Sequence, residues 1–324
     1  KNYLIAAMAL IPMALPCPRT TAPRCAVPNS PAPGPVPRRG LRGALAGLAL
    51  TAAKVARAKA LPEKFPEAVE VEVSLGPVKV QVLEASLEWQ EALIEEAVER
   101  FEENPLDADP YGMAVWPAGQ VLAQAASAHG LKARQQGLPL TALELGCGCG
   151  LASLALLSLQ CSVIATDFQQ LPLQLLTEAA RRQGYEKRLK VQKFDLCDAS
   201  ARLPEADLVM ASDVLYERQT AKAMALRVDE ALQRGSRVLV ADIGRPNRKV
   251  FLSTLKELRP EEDFTFSCSG TAVHVGTTTS SSATTETETT VELLELPRHG
   301  PAEAALQAWP STQLWRPKDH GHVL

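Results

Sequence analysis

The chain predicts an α/β fold, an open and doubly wound parallel sheet preceded by a β-hairpin and helix extension. Three observations predict it. From Leu140 onward, short apolar strands alternate with helix-period segments, the rhythm of βαβ units. The first of these strands runs directly into Gly146-Cys147-Gly148-Cys149-Gly150. Acids then stand in or just after three successive strands, as Glu144, Asp167 and Asp195.

The first 62 residues are set apart by composition. They hold nine Lys or Arg and no acid, so with a net charge of −3 for the whole chain the remainder carries −12. Ten prolines interrupt helix or strand patterns there. Leu4–Leu15 has the size of a secretory h-region, and Arg38-Arg39, the apolar run Ala44–Ala53 and Ala58-Lys59-Ala60 make a second signal-like unit. This order resembles a multipartite plastid presequence, so residues 1–62 are expected to be a targeting segment outside the folded body. The expected address is the plastid, with the mitochondrion or, if the segment is no signal, the cytoplasm as alternatives.

Residues 63–139 should form an extension that packs on the core. Valines alternate through Ala68–Leu83 around Leu75-Gly76-Pro77, which predicts a hairpin. Leu87–Phe101 has helical spacing and many glutamates, and Asn104-Pro105 should end it. A further helix is expected from Pro117 to about Ala128, stopping at Gly130.

The core, 140–297, carries five predicted parallel strands at Ala142–Leu145, Ser162–Thr166, Lys190–Phe194, Ala206–Ala211 and Arg237–Ala241. Helices are predicted near Leu151–Leu159, Leu171–Arg182, Arg218–Gln233 and Lys249–Leu258. Two more strands, Phe264–Cys268 and Thr290–Leu296, bracket Thr277–Thr289, which is too polar for core and reads as an exposed hairpin loop. Residues 298–324 form a tail.

Composition narrows the function. An acidic body repels phosphate backbones, so nucleic acid is not the expected partner unless a local basic groove overrides the total. No apolar run in the body reaches the roughly 20 residues a membrane span needs, so none is expected. Cys147 and Cys149 lack the second CxxC or nearby His pair of a zinc site, and small-residue packing is the expected role; no metal is expected.

The glycine loop is the strongest chemical signal. In a doubly wound sheet ligands bind beyond the carboxyl ends of the strands, and glycines there let backbone approach a ligand closely. The spacing is G-x-G-x-G, not the G-x-G-x-x-G of a dinucleotide fingerprint. Glu144 would repel a pyrophosphate and favour a cationic sulfonium amino acid. Asp167 can accept from both hydroxyls of a ribose, Asp195 suits an adenine amino group, and Phe194 or Leu196 can wall the base. S-adenosylmethionine is the ligand that fits.

Four segments in order carry a family resemblance: Asp109-Pro110-Tyr111-Gly112 leading to Val115-Trp116-Pro117-Ala118, then Leu143–Gly150, Ala165-Thr166-Asp167, and Asp213-Val214-Leu215-Tyr216. From about Glu70 to Leu296 the chain resembles the family-16 seven-strand methyltransferases, which include protein-lysine methyltransferases and nicotinamide N-methyltransferase-like proteins. The resemblance implies a Rossmann-like sheet with an antiparallel last strand. It implies that Trp116, Glu144, Gly146, Cys147, Gly148, Gly150, Asp167, Phe168, Asp195, Leu196 and Ala211 line the S-adenosylmethionine site, with Asp213 and Tyr216 facing the methyl acceptor. The acceptor it implies is a protein lysine, with a small pyridine or amine metabolite as the alternative and a non-catalytic binding module as a third possibility. A monomer is expected.

Overall fold

The computed structural model describes residues 54–60, 65, 67–100, 111–277 and 284–297. Most of the leader, Asn104-Pro105, Asp109-Pro110, the centre of the Thr/Ser-rich run and the tail lie outside the described residues.

The hairpin forms as predicted, with β2 at Ala68–Leu75 and β3 at Val78–Ala85 in antiparallel register from Ala68↔Ala85 to Leu75↔Val78. The fold begins earlier than the sequence predicts. Lys54–Ala60, placed by composition in the leader, forms β1 and pairs antiparallel with β2. Pattern reading passed over it because three basic residues in seven mask the alternation of valine and alanine. Helix α1 spans Leu87–Arg100.

Helix α2 spans Pro117–Gln135, with Trp116 at its N-cap and Pro117 at the first helical position, where a missing N–H costs nothing. It runs straight through Gly130, which was expected to stop it. A Cβ there would lie 2.9 Å from Leu159 Cδ1 and 3.0 Å from Leu156 Cδ2, so the glycine marks close helix packing and no terminus.

The core follows the predicted rhythm: β4 Thr141–Leu145, α3 Leu151–Ser158, β5 Ser162–Asp167, α4 Gln170–Arg182, β6 Leu189–Lys193, β7 Leu208–Ser212, α5 Arg218–Gln233, β8 Arg237–Asp242 and α6 Arg248–Leu258. The last hairpin is β9 Ser267–Thr277 and β10 Thr284–Leu296. The Thr/Ser-rich run is therefore shorter as a loop than predicted. Thr284–Thr289 continues β10 and pairs with Ala272–Thr277. Threonine is too polar for core, but its branched Cβ favours extended backbone, and the partner strand satisfies the main chain.

The seven strands lie in the order β6-β5-β4-β7-β8-β10-β9. β4 through β8 pair in parallel, and β10 runs antiparallel to both β8 and β9. This is the Rossmann-like seven-strand sheet, antiparallel last strand included. Alternation sorts each strand between two layers. Ala142, Val163, Ala165, Leu208, Met210, Leu239 and Ala241 pack with α2, α3 and α4. Leu143, Leu145, Val209, Ala211, Val238 and Val240 pack with α5 and α6. The small β1–β2–β3 sheet sits on α3 and α4. Gln183 fastens it, accepting from Gln81 N at 2.9 Å and donating to Gln81 O at 2.8 Å. Among the described residues no helix is long and apolar enough to cross a membrane.

Candidate cofactor and acceptor site

Order reversal in the sheet falls beside β4, whose neighbours are β5 and β7. The loops leaving their carboxyl ends meet there, as expected for the ligand crevice of such a sheet. The loop after β4 takes positive φ at Gly146, Gly148 and Gly150, of 63, 49 and 71°. A Cβ on Gly150 would stand 2.5 Å from Leu176 Cδ1, and one on Gly148 would stand 3.0 Å from Gly112 O. The neighbours that require glycine at these two positions are thus protein atoms from α4 and from the segment before α2. Gly146 faces Val214, 2.9 Å from the position a Cβ would take. The loop is tied by Cys147 N to Thr166 O at 2.9 Å and Gly150 N to Cys147 O at 2.8 Å.

Asp167, the last residue of β5, is buried at 5% exposure. Its Oδ2 accepts from Gly148 N at 3.0 Å and its Oδ1 from Gln169 N at 3.0 Å. One carboxylate therefore clamps the glycine loop and the start of the following helix, and each of its oxygens retains further acceptor capacity. Phe168 follows, half-buried.

Glu144 has a role inside the fold. It lies on the α3 side of β4, and its Oε2 accepts from Ser153 N at 2.9 Å and from the Ser153 hydroxyl. A first-turn N–H of α3, which has no intrahelical acceptor, is thereby satisfied. Burial pushes the Glu144 carboxyl up to about 7, against the lowering effect of the Ser153 hydrogen bonds and with a further raise from Asp167. Cys147 and Cys149 are buried, and desolvation holds both thiols well above their usual range. Their Sγ atoms lie 3.5 Å from Gly148 O and Gly112 O respectively.

The third acid is placed differently from the expectation. β6 ends at Lys193, so Asp195 stands two residues beyond the strand, exposed, with Oδ1 accepting from Cys197 N at 2.8 Å. Phe194 is buried beneath Arg227, whose guanidinium carbon is 5.0 Å from the ring centroid. Arg227 donates to Leu196 O at 3.1 Å and Ala201 O at 2.7 Å, and also to Asp198 O. A buried arginine from α5 thus shapes the segment holding Asp195 and Leu196. Sequence reading missed it, because an arginine 31 residues from the carbonyl it serves carries no local signal.

Trp116 is the N-cap residue of α2. Its indole Nε1 donates to Tyr111 O at 2.8 Å, and the two rings meet edge to face at 6.3 Å. Ala211 is buried next to Leu145 in the sheet, and Gly119 of α2 approaches Ser212 Oγ at 3.7 Å from the place of a Cβ. After β7, Asp213 takes φ 60°, a conformation non-glycine residues rarely hold and one that clusters at functional sites. Its Oδ1 accepts from Arg245 Nε at 2.6 Å, and its N–H bonds Ala241 O. Tyr216 is 40% exposed, and its carbonyl accepts from Asn247 Nδ2 at 2.8 Å. Arg245 and Asn247, from the β8–α6 turn, are partners that sequence reading did not name. That turn is itself anchored by Asp242, whose Oδ1 accepts from Gly244 N, Arg245 N and Arg248 Nε.

One carboxyl edge of the sheet therefore gathers the glycine loop, Asp167, Phe168, Trp116, Asp213 and Tyr216. Asp167, buried beside the glycine loop, is the group at this edge that could accept from a ribose hydroxyl. Among the described residues no group of His, Cys, Asp and Glu is arranged to hold a metal.

Residues 100–258 match the family model described as "Lysine methyltransferase". No curated protein matches the chain. Solved structures similar to it include PH1948 of Pyrococcus horikoshii, at 17% identity over 55% of this chain and 84% of that one, TM-score 0.38. A precorrin-6y C5,15-methyltransferase of Geobacter metallireducens is 11% identical over 53% and 88%, TM-score 0.39. TehB of Haemophilus influenzae is 15% identical over 53% and 62%, TM-score 0.34.

Proposed function

We propose that this chain, whose residues 100–258 match the lysine methyltransferase family model, uses S-adenosylmethionine to methylate the side-chain nitrogen of a protein lysine. The observation that carries the reading is the meeting, at one sheet edge, of the Asp167-clamped glycine loop with the Asp213–Arg245 pair and the exposed Tyr216. The cofactor supplies an electrophilic methyl on a sulfonium when bound. Asp167 accepts from its sugar, Phe168 and Leu196 flank its base, and the backbone from Gly146 to Gly150 lines its amino-acid portion.

The remaining work is positioning, because methyl transfer needs a neutral amine held in line. An aromatic rim of Trp116 and Tyr216 attracts an ammonium through the faces of its rings. Asp213 adds a carboxylate whose charge Arg245 tempers, so the amine is drawn in without being locked as the ammonium. The test is incubation of the full chain with labelled S-adenosylmethionine and a lysate, followed by separation of protein from small solutes. Label in protein lysine supports the reading. Label confined to small solutes moves the acceptor to a pyridine or amine metabolite, and no transfer with intact cofactor binding removes the enzymatic role.

A further inference from the structure

An open groove of about 390 Å³ runs between the start of α5, which contributes Arg218 and Lys222, and the length of α6, which contributes Lys249, Ser253, Thr254 and Glu257. Its three cations are exposed. The arginines around them are paired: Arg227 with Glu230, Arg234 with Glu230, Arg245 with Asp213, Arg248 with Asp242 and Arg259 with Asp229. Arg218, Lys222 and Lys249 have no such partner among the described residues. Three unneutralised cations beside one acid, on a body that carries −12 beyond residue 62, form a local reversal of charge.

The residues of the groove adjoin those of the acceptor rim along the chain. Arg218 follows Tyr216 by two residues, and Asn247, two before Lys249, donates to Tyr216 O at 2.8 Å. We propose that this groove binds an acidic polypeptide segment flanking the acceptor lysine of a protein substrate. The proposal rests on the protein-lysine reading and names what that substrate carries. Arg218 and Lys222 lie one turn apart on α5, about 6 Å along its axis. Alternate residues of an extended peptide repeat at about 7 Å. The groove therefore fits carboxylates at alternate positions, a Glu-x-Glu or Asp-x-Asp pattern, with Lys249 and the Ser253 and Thr254 hydroxyls along the opposite wall. A nucleic-acid backbone is the competing polyanion; the protein-lysine reading favours the peptide, and an oligonucleotide is an arm of the test.

The test measures binding of two fluorescent peptides to the full chain, each with one lysine, one bearing Glu-x-Glu and the other Gln-x-Gln. The wild type should hold the acidic peptide about tenfold tighter at low salt, its two carboxylates facing three exposed cations in contacts that each contribute a small factor. Raising the salt should erode the preference. The triple change Arg218→Gln, Lys222→Gln, Lys249→Gln should abolish it with the unfolding midpoint unchanged, and the corresponding triple change to Glu should invert it. Equal binding of the two peptides by the wild type, or a preference that survives the triple change, overturns the proposal. So does a single-stranded oligonucleotide that binds through the same three residues more tightly than the acidic peptide. Methylation of both peptides without preference would remove the groove and leave the lysine reading standing. Acidic preference with no methyl transfer to any lysine would do the reverse.

Discussion

The two halves of the site are built on different principles. At the ends of β4 and β5 the parts are backbone and buried acids: Asp167 holds Gly148 and Gln169 by their N–H groups, and Glu144 holds Ser153. At the ends of β7 and β8 the parts are side chains from separate segments: Asp213 meets Arg245 across 32 positions, and Asn247 meets the Tyr216 carbonyl across 31. A rigid half suits a cofactor common to many reactions. A half made of exchangeable, partly exposed side chains suits an acceptor that differs between enzymes.

The sharpest way to break this contrast is Gly150→Ala. The new methyl would sit 2.5 Å from Leu176 at φ 71°, and overpacking together with a left-handed backbone should cost about 3 kcal/mol, read from denaturant unfolding. A change under about 1 kcal/mol would show the loop to be pliant.

The acidity of Glu144 comes next. Its carboxyl is higher in the folded chain, at about 7, than the ordinary value of 4.5. Its stabilising contribution is therefore full below that ordinary value and is lost as pH rises through about 7. The span corresponds to up to about 3 kcal/mol. Glu144→Gln keeps an acceptor for Ser153 and should flatten the fall in melting temperature between acid and mildly alkaline buffer. An unchanged slope would sink the assignment.

Asp167→Ala should weaken S-adenosylmethionine binding about a hundredfold, or about 2.7 kcal/mol, in a calorimetric titration. Glu144→Gln should shift that binding no more than about threefold, since its carboxyl faces α3. Equal losses for both would erase the distinction between a ligand-facing and a fold-facing acid.

The smallest expected effect lies in the other half. Asp213→Ala and Arg245→Ala should each lower kcat about tenfold while leaving cofactor affinity unchanged, the signature of a group that acts on the acceptor. Cofactor affinity falling in step with kcat would place the pair on the wrong side of the site.

Legibility followed the same division. Elements β4 through α6 were readable within about a residue or two, because alternation and helical spacing are local and the central strands β4, β7 and β8 are buried on both faces. The glycine loop and Asp167 were readable because they are contiguous with those strands. The reading went astray where a neighbour overrode a local signal. Gly130 looked like a stop until α3 was seen against it, Thr284–Thr289 looked like a loop until β9 supplied its hydrogen bonds, and Lys54–Ala60 looked like leader until β2 did the same.

By itself the sequence determined the alternating α/β core, the turn chemistry after β4 and the acids available to line it, all properties of neighbours along the chain. Only the tertiary structure decided which acid faces inward to Ser153, which clamps the loop, and that Arg227 and Arg245 complete the crevice from helices and turns far away in sequence. The reason is physical: hydrophobic period and backbone preference act over a few residues, whereas the partner of a buried charge is chosen by whatever the fold brings within about 3 Å of it.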